Sequence, residues 1–126
     1  MPGKDKKKKI LIAEDEKPMA NALKAKLENS GFEVSLAFNG QEALQILQQE
    51  KIDLLLLDLI MPQKDGFAVL AELKKIGSKV QVVISSNLSQ ADDISRAKEL
   101  GAADFFVKSN TQIVAVVEKV KKVLKL

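Results

Sequence analysis

The stretch LLLLDLIMP, residues 54–62, decides the fold of this chain. Four leucines lead directly into Asp58, and three more apolar residues follow before Pro62. A short, continuous apolar run is typical of a strand that is covered on both faces of a parallel sheet. An ionised carboxylate is costly to bury beside so much apolar surface. The stretch therefore predicts a central strand whose terminal Asp58 has polar partners and a chemical role.

Short apolar runs and segments of helical period alternate along the whole chain. The predicted strands are KILIAE (9–14), EVSLAF (33–38), DLLLLD (53–58), VQVVIS (80–85) and DFFVK (104–108). Each is followed by a segment in which apolar residues recur every three or four positions, as on one face of a helix. Five such units with short connections predict an α/β fold, a doubly wound five-stranded parallel sheet with helices on both faces.

The helix boundaries are predicted from capping residues and breakers. In chain order these are Pro18 in the first turn of helix 1, Gly31 after its end, Asn39 capping a helix over 40–50, Gly66 opening helix 3, Ser89 capping helix 4, Gly101 ending it, and Ser109, Asn110 or Thr111 capping helix 5. The third helix is expected to carry Phe67, Leu70, Leu73 and Ile76.

Composition excludes several classes of function. The 126 residues contain no cysteine and no histidine, which excludes thiol nucleophiles, Ser-His-Asp catalysis and zinc sites of the usual kind.

No stretch reads as a signal peptide or a membrane span, so we expect a cytoplasmic protein without a membrane partner. The net charge is +3, but residues 1–9 carry five lysines and one aspartate. We therefore predict a flexible basic tail over 1–9, a single domain over 10–126, and no nucleic-acid partner for this domain.

Polar side chains cluster where the predicted strands end. Glu14, Asp15 and Glu16 follow the first strand, Asp58 the third, Ser85, Ser86 and Asn87 the fourth, and Lys108 the fifth. The carboxyl ends of parallel strands share one edge, where such sheets bind ligands. Crowded carboxylates repel one another, and a Mg²⁺ ion relieves that repulsion. A cleft with a cation and a lysine attracts a phosphoryl group, which a carboxylate can accept as an aspartyl phosphate.

The chain resembles the receiver domains of two-component response regulators in four motifs: LIAEDE, LLLLDLIMPQKDGF, VVISSN and GAADFFVK. The resemblance runs from Ile10 to about Leu124 and includes the chemotaxis regulator, whose flavodoxin-like strand order is 2-1-3-4-5. It implies a phosphoacceptor switch rather than an enzyme, one that catalyses only its own phosphorylation and dephosphorylation. It implies a sensor histidine kinase or a histidine phosphotransfer protein as donor. It also implies a downstream protein regulated through helix 4, strand 5 and helix 5, by a monomer or a phosphorylation-dependent dimer.

The resemblance also implies roles for individual residues. Asp58 matches the phosphoacceptor, and Lys108 matches the lysine that contacts the phosphoryl group. Glu14 and Asp15 match the acidic pair that binds Mg²⁺ together with Asp58, and Mn²⁺ is an expected substitute. Ile60 matches the position that offers a backbone carbonyl to the metal.

A hydroxyl and an aromatic side chain complete the implied switch. Ser86 fits the family's separation between the switch hydroxyl and Lys108 better than Ser85, so Ser86 is preferred and Ser85 is the alternative. Phe105 matches the aromatic residue that moves inward when the hydroxyl turns toward the phosphate. The other interpretation of Phe105 is a strand residue packed permanently in the core.

Some positions depart from the family pattern. Asn87 stands where a small alanine is frequent, and Ser109 follows the lysine where proline is usual. Ile60 and Leu88 are apolar at two positions that flank the path of a hydrolytic water, which predicts slow self-dephosphorylation.

Other functions fit the residues less well. A phosphatase or ATPase of the haloacid-dehalogenase type places a second acid two residues after its nucleophile, where this chain has Ile60. A flavodoxin-like cofactor binder needs a phosphate loop after the first strand, where this chain has three acids. A DNA-binding regulator needs a further domain, for which we expect no room in this chain. The remaining alternative is a pseudo-receiver, a protein-interaction module that is not phosphorylated.

Overall fold

The computed structural model describes residues 7–87 and 91–126, without the side chain of Ala91. The strands are β1 (Lys9–Ala13), β2 (Glu33–Ala37), β3 (Leu54–Leu57), β4 (Gln81–Ser86) and β5 (Asp104–Val107). The helices are α1 (Lys17–Asn29), α2 (Gly40–Gln49), α3 (Gly66–Lys75), α4 (Ala91–Glu99) and α5 (Ile113–Leu124), with a 3₁₀ turn at Lys108–Asn110. The predicted alternation of five strands and five helices is confirmed.

The five strands form one parallel sheet in the order β2-β1-β3-β4-β5. This order confirms the doubly wound, flavodoxin-like fold. All four leucines of β3 are buried, as the continuous apolar run predicts for a strand between two others. The sheet order reverses direction between β1 and β3, so the carboxyl ends of these two strands flank a crevice.

Two apolar cores lie on opposite faces of the sheet. On one face, β-strand residues such as Leu55 and Leu57 pack with Ala43 of α2, Leu70 of α3 and Ala97 of α4. On the other face, the inward residues belong to α1 and α5 and to the remaining strand positions, among them Leu23, Leu27, Leu54, Leu56, Val116 and Val120. Because alternate residues of each strand point to opposite faces, both layers of helices are held by the same strands.

Two helix starts rest on side-chain caps. Asn39 Oδ1 accepts a hydrogen bond from the backbone N–H of Glu42 at 2.8 Å, which confirms Asn39 as the cap of α2. Asp65 Oδ1 accepts from the N–H of Ala68 at 2.9 Å, so α3 begins at Gly66 as predicted. These contacts satisfy donors that have no partner within the helix.

Two predictions about helices are wrong. Ile76 was expected among the apolar residues that helix 3 carries, but it follows the last helical residue and is 64% exposed. Residues three positions apart do not lie directly above one another, because a helical turn takes about 3.6 residues. Three successive steps of three residues therefore place Ile76 about 180° from Phe67 around the helix axis. None of the predicted caps Ser109, Asn110 and Thr111 precedes the last helix directly, because Gln112 takes that position. Residues 108–110 form a separate 3₁₀ turn, and Thr111 follows that turn.

Some predictions fall on residues that the structure does not describe. The proposed cap Ser89 and the flanking Leu88 lie outside the described residues, as do residues 1–6 of the predicted tail. Lys9, the last residue assigned to that tail, is the first residue of β1. Within 7–87 and 91–126, no helix is both long enough and apolar enough to cross a membrane.

Candidate functional site

The polar residues that follow the strands meet at the carboxyl edge of the sheet. Glu14 comes directly after β1 and Asp58 directly after β3, and the N–H of Asp58 donates to the Ala13 carbonyl at 3.0 Å. Ser86 is the last residue of β4, and Lys108 follows β5. Asp58, Ser86 and Lys108 border a cavity of about 240 Å³, whose other lining residues are Asp15, Glu16, Ile60 and Asn87.

The Asp58 carboxylate is buried, with the residue 4% exposed, and each of its oxygens has a donor. Oδ1 accepts from the backbone N–H of Ile60 at 3.1 Å, and Oδ2 accepts from Lys108 Nζ at 3.1 Å. The loop after Asp58 turns back so closely that a Cβ on Gly66 would collide with the Asp58 carbonyl. Glycine is thus required where α3 begins, and the close approach holds the loop against the site.

The Lys108 ammonium lies among three carboxylates. Nζ is 2.9 Å from Glu14 Oε1, 3.0 Å from Glu16 Oε1 and 3.1 Å from Asp58 Oδ2. The Lys108 side chain is only 7% exposed, so its charge is compensated by these acids rather than by water. The sequence predicted Lys108 at this edge, but it did not predict the bond to Glu16, which joins residues 92 positions apart.

Burial and charge act against each other on these ionisable groups. Burial raises the pKa of Asp58 above its ordinary value, although the Ile60 N–H and the Lys108 ammonium both favour the carboxylate. Burial likewise raises the pKa of Glu14, against the hydrogen bonds from Lys108 and from the Glu16 N–H. For Lys108, burial lowers the pKa, but the hydrogen bonds to Glu14 and Glu16 outweigh it and hold the pKa well above the ordinary value. The lysine is therefore a fixed cation, and the two buried acids carry the cost of desolvation.

The carboxylates of Glu14, Asp15 and Asp58 lie close enough together to hold one metal ion. Each offers a carboxylate oxygen, and these oxygens all lie within 4.8 Å of one another. Glu14 and Asp58 are buried while Asp15 is exposed, so the set opens toward solvent on one side. Oxygen ligands with one open side suit Mg²⁺, which keeps several waters when it binds to proteins. The donor set therefore fits the predicted ion.

The two candidate switch serines occupy different positions. Ser86 is buried and lines the cavity. Ser85 is also buried, and its Oγ has no hydrogen-bond partner among the described residues. Phe105 is partly buried and packs against the core on the side of α2, α3 and α4. The roles assigned to Ser86 and Phe105 remain predictions.

A contact that the sequence did not predict joins the ends of β4 and β5. Asn87 Oδ1 accepts a hydrogen bond from the backbone N–H of Ser109 at 2.9 Å. The described residues contain no cis peptide bond, so the Lys108–Ser109 bond is trans. Asn87 lies one residue after β4 and Ser109 lies two residues after β5, and local sequence patterns do not connect two residues that are 22 positions apart.

A doubly wound sheet with clustered acids and one lysine at its carboxyl edge defines a class of small α/β signalling domains. The family model described as the response regulator receiver domain matches residues 10–121. The chain belongs to this family, and it is a receiver domain of the response regulators of two-component systems.

Relatives and solved structures agree with this membership. A probable transcriptional regulator, ycf27, of Porphyridium aerugineum is 40% identical over 102 residues, which are 81% of this chain and 42% of that protein. The chain thus spans less than half the length of this relative. The receiver domain of the Francisella response regulator 1452 is 30% identical with a TM-score of 0.88, covering 94% of this chain and 97% of that one. The phosphorylated cyanobacterial phytochrome response regulator RcpA is 32% identical with a TM-score of 0.84, covering 93% of each chain.

Proposed function

We propose that this chain is a phosphoacceptor switch in which Asp58 receives a phosphoryl group in a Mg²⁺-dependent reaction. The observation that supports the proposal is the position of the Asp58 carboxylate and the two groups that bind it. It is held by the Ile60 N–H and by Lys108, and it lines an open cavity of about 240 Å³. A buried carboxylate that faces such a cavity beside a fixed cation is placed to act as a nucleophile.

The donor in this proposal is the phosphohistidine of a sensor histidine kinase or of a histidine phosphotransfer protein. An Asp58 oxygen forms a bond to phosphorus as the phosphorus–nitrogen bond of the donor breaks. The imidazole nitrogen keeps the electron pair of that bond and its ring returns to the neutral form with a proton from solvent. Lys108 balances negative charge on the phosphoryl oxygens, and the buried surroundings of the site strengthen that interaction.

Glu14, Asp15 and Asp58 would hold the ion, with the backbone carbonyl of Ile60 as a further ligand. When bound, Mg²⁺ supplies positive charge to phosphoryl oxygens, and Mn²⁺ is an expected substitute. The chain's own residues keep the carboxylates together in the absence of the ion, because Lys108 lies between Glu14 and Asp58.

The output of the switch is a change in the surface formed by α4, β5 and α5, read by a downstream protein. In the proposed sequence of events, Ser86 turns toward the phosphoryl group and Phe105 moves into the space that opens. A phosphoryl group shifts such an equilibrium only through different contacts in its two states. The phosphorylated form of RcpA, a protein of the same fold, supports phosphorylation as the trigger.

Phosphoryl uptake tests the proposal. Purified protein is incubated with Mg²⁺ and acetyl phosphate or phosphoramidate, and its intact mass is measured. We expect one added phosphoryl group that Asp58→Asn abolishes. Asp53→Asn, at the opposite end of β3, is the matched control and should be labelled like the wild type. Absence of uptake by the wild type would instead favour the pseudo-receiver alternative.

A second measurement tests the output. Hydrogen exchange is compared before and after phosphorylation, and we expect the largest differences between residues 86 and 122. Differences confined to the neighbourhood of Asp58 would indicate a passive phosphate carrier without a switch.

A further inference from the structure

In the part of the chain that the structure describes, three carboxylates take up the N–H donors of the Lys108 ammonium. An ammonium carries three N–H donors. Its three carboxylate neighbours, Glu14, Glu16 and Asp58, lie at 2.9, 3.0 and 3.1 Å. A phosphoryl oxygen on Asp58 therefore gains a hydrogen bond from Lys108 only if one of these three bonds is given up.

We propose that Glu16 is a positioning residue that occupies the phosphate-binding donor of Lys108 at rest and yields it to the incoming phosphoryl group. The inference rests on the proposed function, because it concerns regulation of phosphorylation at Asp58. Glu16 therefore slows the phosphorylation of Asp58 by anionic phosphoryl donors.

Exposure decides which of the three bonds is exchanged. The side chains of Glu14 and Asp58 are 2% and 5% exposed, whereas that of Glu16 is 64% exposed. A buried carboxylate that loses its cation is left without compensation and is strongly destabilised. Glu16 faces water, which replaces the lost hydrogen bond at little cost. Glu16 is therefore the partner that leaves.

The Glu16 charge also acts before the donor arrives. Glu16 and Asp15 both line the cavity in front of Asp58, so an anionic donor approaches two carboxylates. Like charges at the mouth of a cleft lower the local concentration of an anion, and salt screens this effect. The chemical step itself is unchanged. With acetyl phosphate, the Asp58 oxygen bonds to phosphorus, and acetate leaves with the electron pair of the broken phosphorus–oxygen bond.

The experiment compares initial rates of phosphorylation by acetyl phosphate in wild type, Glu16→Gln and Glu33→Gln. Glu33 is the matched control, since it is an exposed glutamate paired with Lys9 at 3.9 Å at the opposite edge of the sheet. We expect Glu16→Gln to be labelled about two- to fivefold faster at low salt, the effect of one exposed charge pair. Glu33→Gln should match the wild type, Glu16→Asp should restore the slower rate, and high salt should narrow the difference.

Binding of beryllofluoride, a mimic of the phosphoryl group on a carboxylate, provides a readout without turnover. In the presence of Mg²⁺, ¹⁹F NMR titration should show tighter binding to Glu16→Gln by the same two- to fivefold factor. Equal rates and equal beryllofluoride affinities for Glu16→Gln and wild type would overturn the assignment of Glu16 and leave the proposed function intact. No uptake by the wild type would overturn the proposed function, and this inference with it.

Discussion

The side-chain oxygen of Asn87 accepts a hydrogen bond from the backbone N–H of Ser109, with 2.9 Å between Oδ1 and N. This bond ties the residue after β4 to the turn after β5, directly beside Lys108. From the resemblance to receiver domains, we expect alanine frequently at the first position and proline usually at the second. Proline has no N–H, so the serine introduces a donor and the asparagine supplies its acceptor.

Asn87→Ala should release this connection. The N–H of Ser109 would turn to water, and the free energy of unfolding should fall by about 0.5–1.5 kcal/mol, as for a typical hydrogen bond. Hydrogen exchange at Ser109 should become faster. Asn110→Ala is the control, because Asn110 lies in the same turn and its exposed side chain accepts a long 3.5 Å hydrogen bond from the hydroxyl of the adjacent Thr111. Unchanged exchange at Ser109 in Asn87→Ala would contradict a stabilising role for the contact.

Lys108→Met should destabilise the protein strongly above neutral pH. The substitution leaves Glu14 and Asp58 buried without their cation, and the expected loss is about 3–5 kcal/mol at pH 8. The loss should be smaller at pH 5, because burial raises the pKa of both acids and so favours their neutral forms, which need no cation, as the pH falls. Urea unfolding at both pH values measures this. Lys119→Met, which breaks the half-exposed pair with Asp104, should cost less than about 1 kcal/mol at either pH. If Lys108→Met and Lys119→Met lowered the free energy of unfolding equally, burial would not increase the stabilising effect of the Lys108 ion pairs.

Asp15→Asn should have opposite effects on metal binding and on stability. Asp15 repels the Asp58 carboxylate, which contributes to the raised pKa of Asp58. Removing that charge should stabilise the metal-free protein, while Mg²⁺ affinity should fall with the loss of a carboxylate ligand. Urea unfolding without metal and Mg²⁺ titration by NMR measure the two effects, with Glu33→Gln as a control that changes neither. Undiminished Mg²⁺ affinity would remove Asp15 from the predicted ligand set.

Mg²⁺ affinity should decline on acidification at a higher pH than for ordinary carboxylates. Burial holds the pKa values of Asp58 and Glu14 above their reference values of 3.8 and 4.5. The folded chain therefore binds protons at a higher pH than the unfolded chain does. Without metal, these two acids therefore raise the free energy of unfolding as the pH falls from their pKa values in the folded chain toward the reference values. Protons displace Mg²⁺ over that same window. Titrations at several pH values from 8 downward measure the decline, and an affinity that stays constant until the pH reaches the reference values would contradict the prediction.

Ile60→Asn should shorten the lifetime of the aspartyl phosphate. The Ile60 side chain is 61% exposed and lines the cavity in front of Asp58. An apolar side chain there cannot orient the water that must attack in line with the bond to phosphorus, whereas an amide can. Decay is followed by intact mass after removal of the donor. Ile76→Asn, another exposed isoleucine that lies away from the cavity, should decay like the wild type. Slower or unchanged decay in Ile60→Asn would show that this side chain does not control hydrolysis.

The sequence by itself determined the layout of the fold and the composition of the site edge. The unbroken leucine run of β3 predicted a strand buried on both faces, and alternation with helical segments predicted parallel pairing. Parallel strands end at one edge, so Glu14, Asp58 and Lys108 were predicted as neighbours without coordinates. Local capping chemistry likewise predicted the start of α2 at Asn39.

Only the tertiary structure decided how these neighbours are connected. The three bonds of Lys108, and above all its bond to the exposed Glu16, depend on how three strand ends are placed against each other. The same is true of the bond between Asn87 and Ser109. Hydrophobic period and capping signals act over a few residues, whereas these contacts join residues 22 to 94 positions apart. Packing of the whole sheet sets such distances, and with them the charge balance around Asp58.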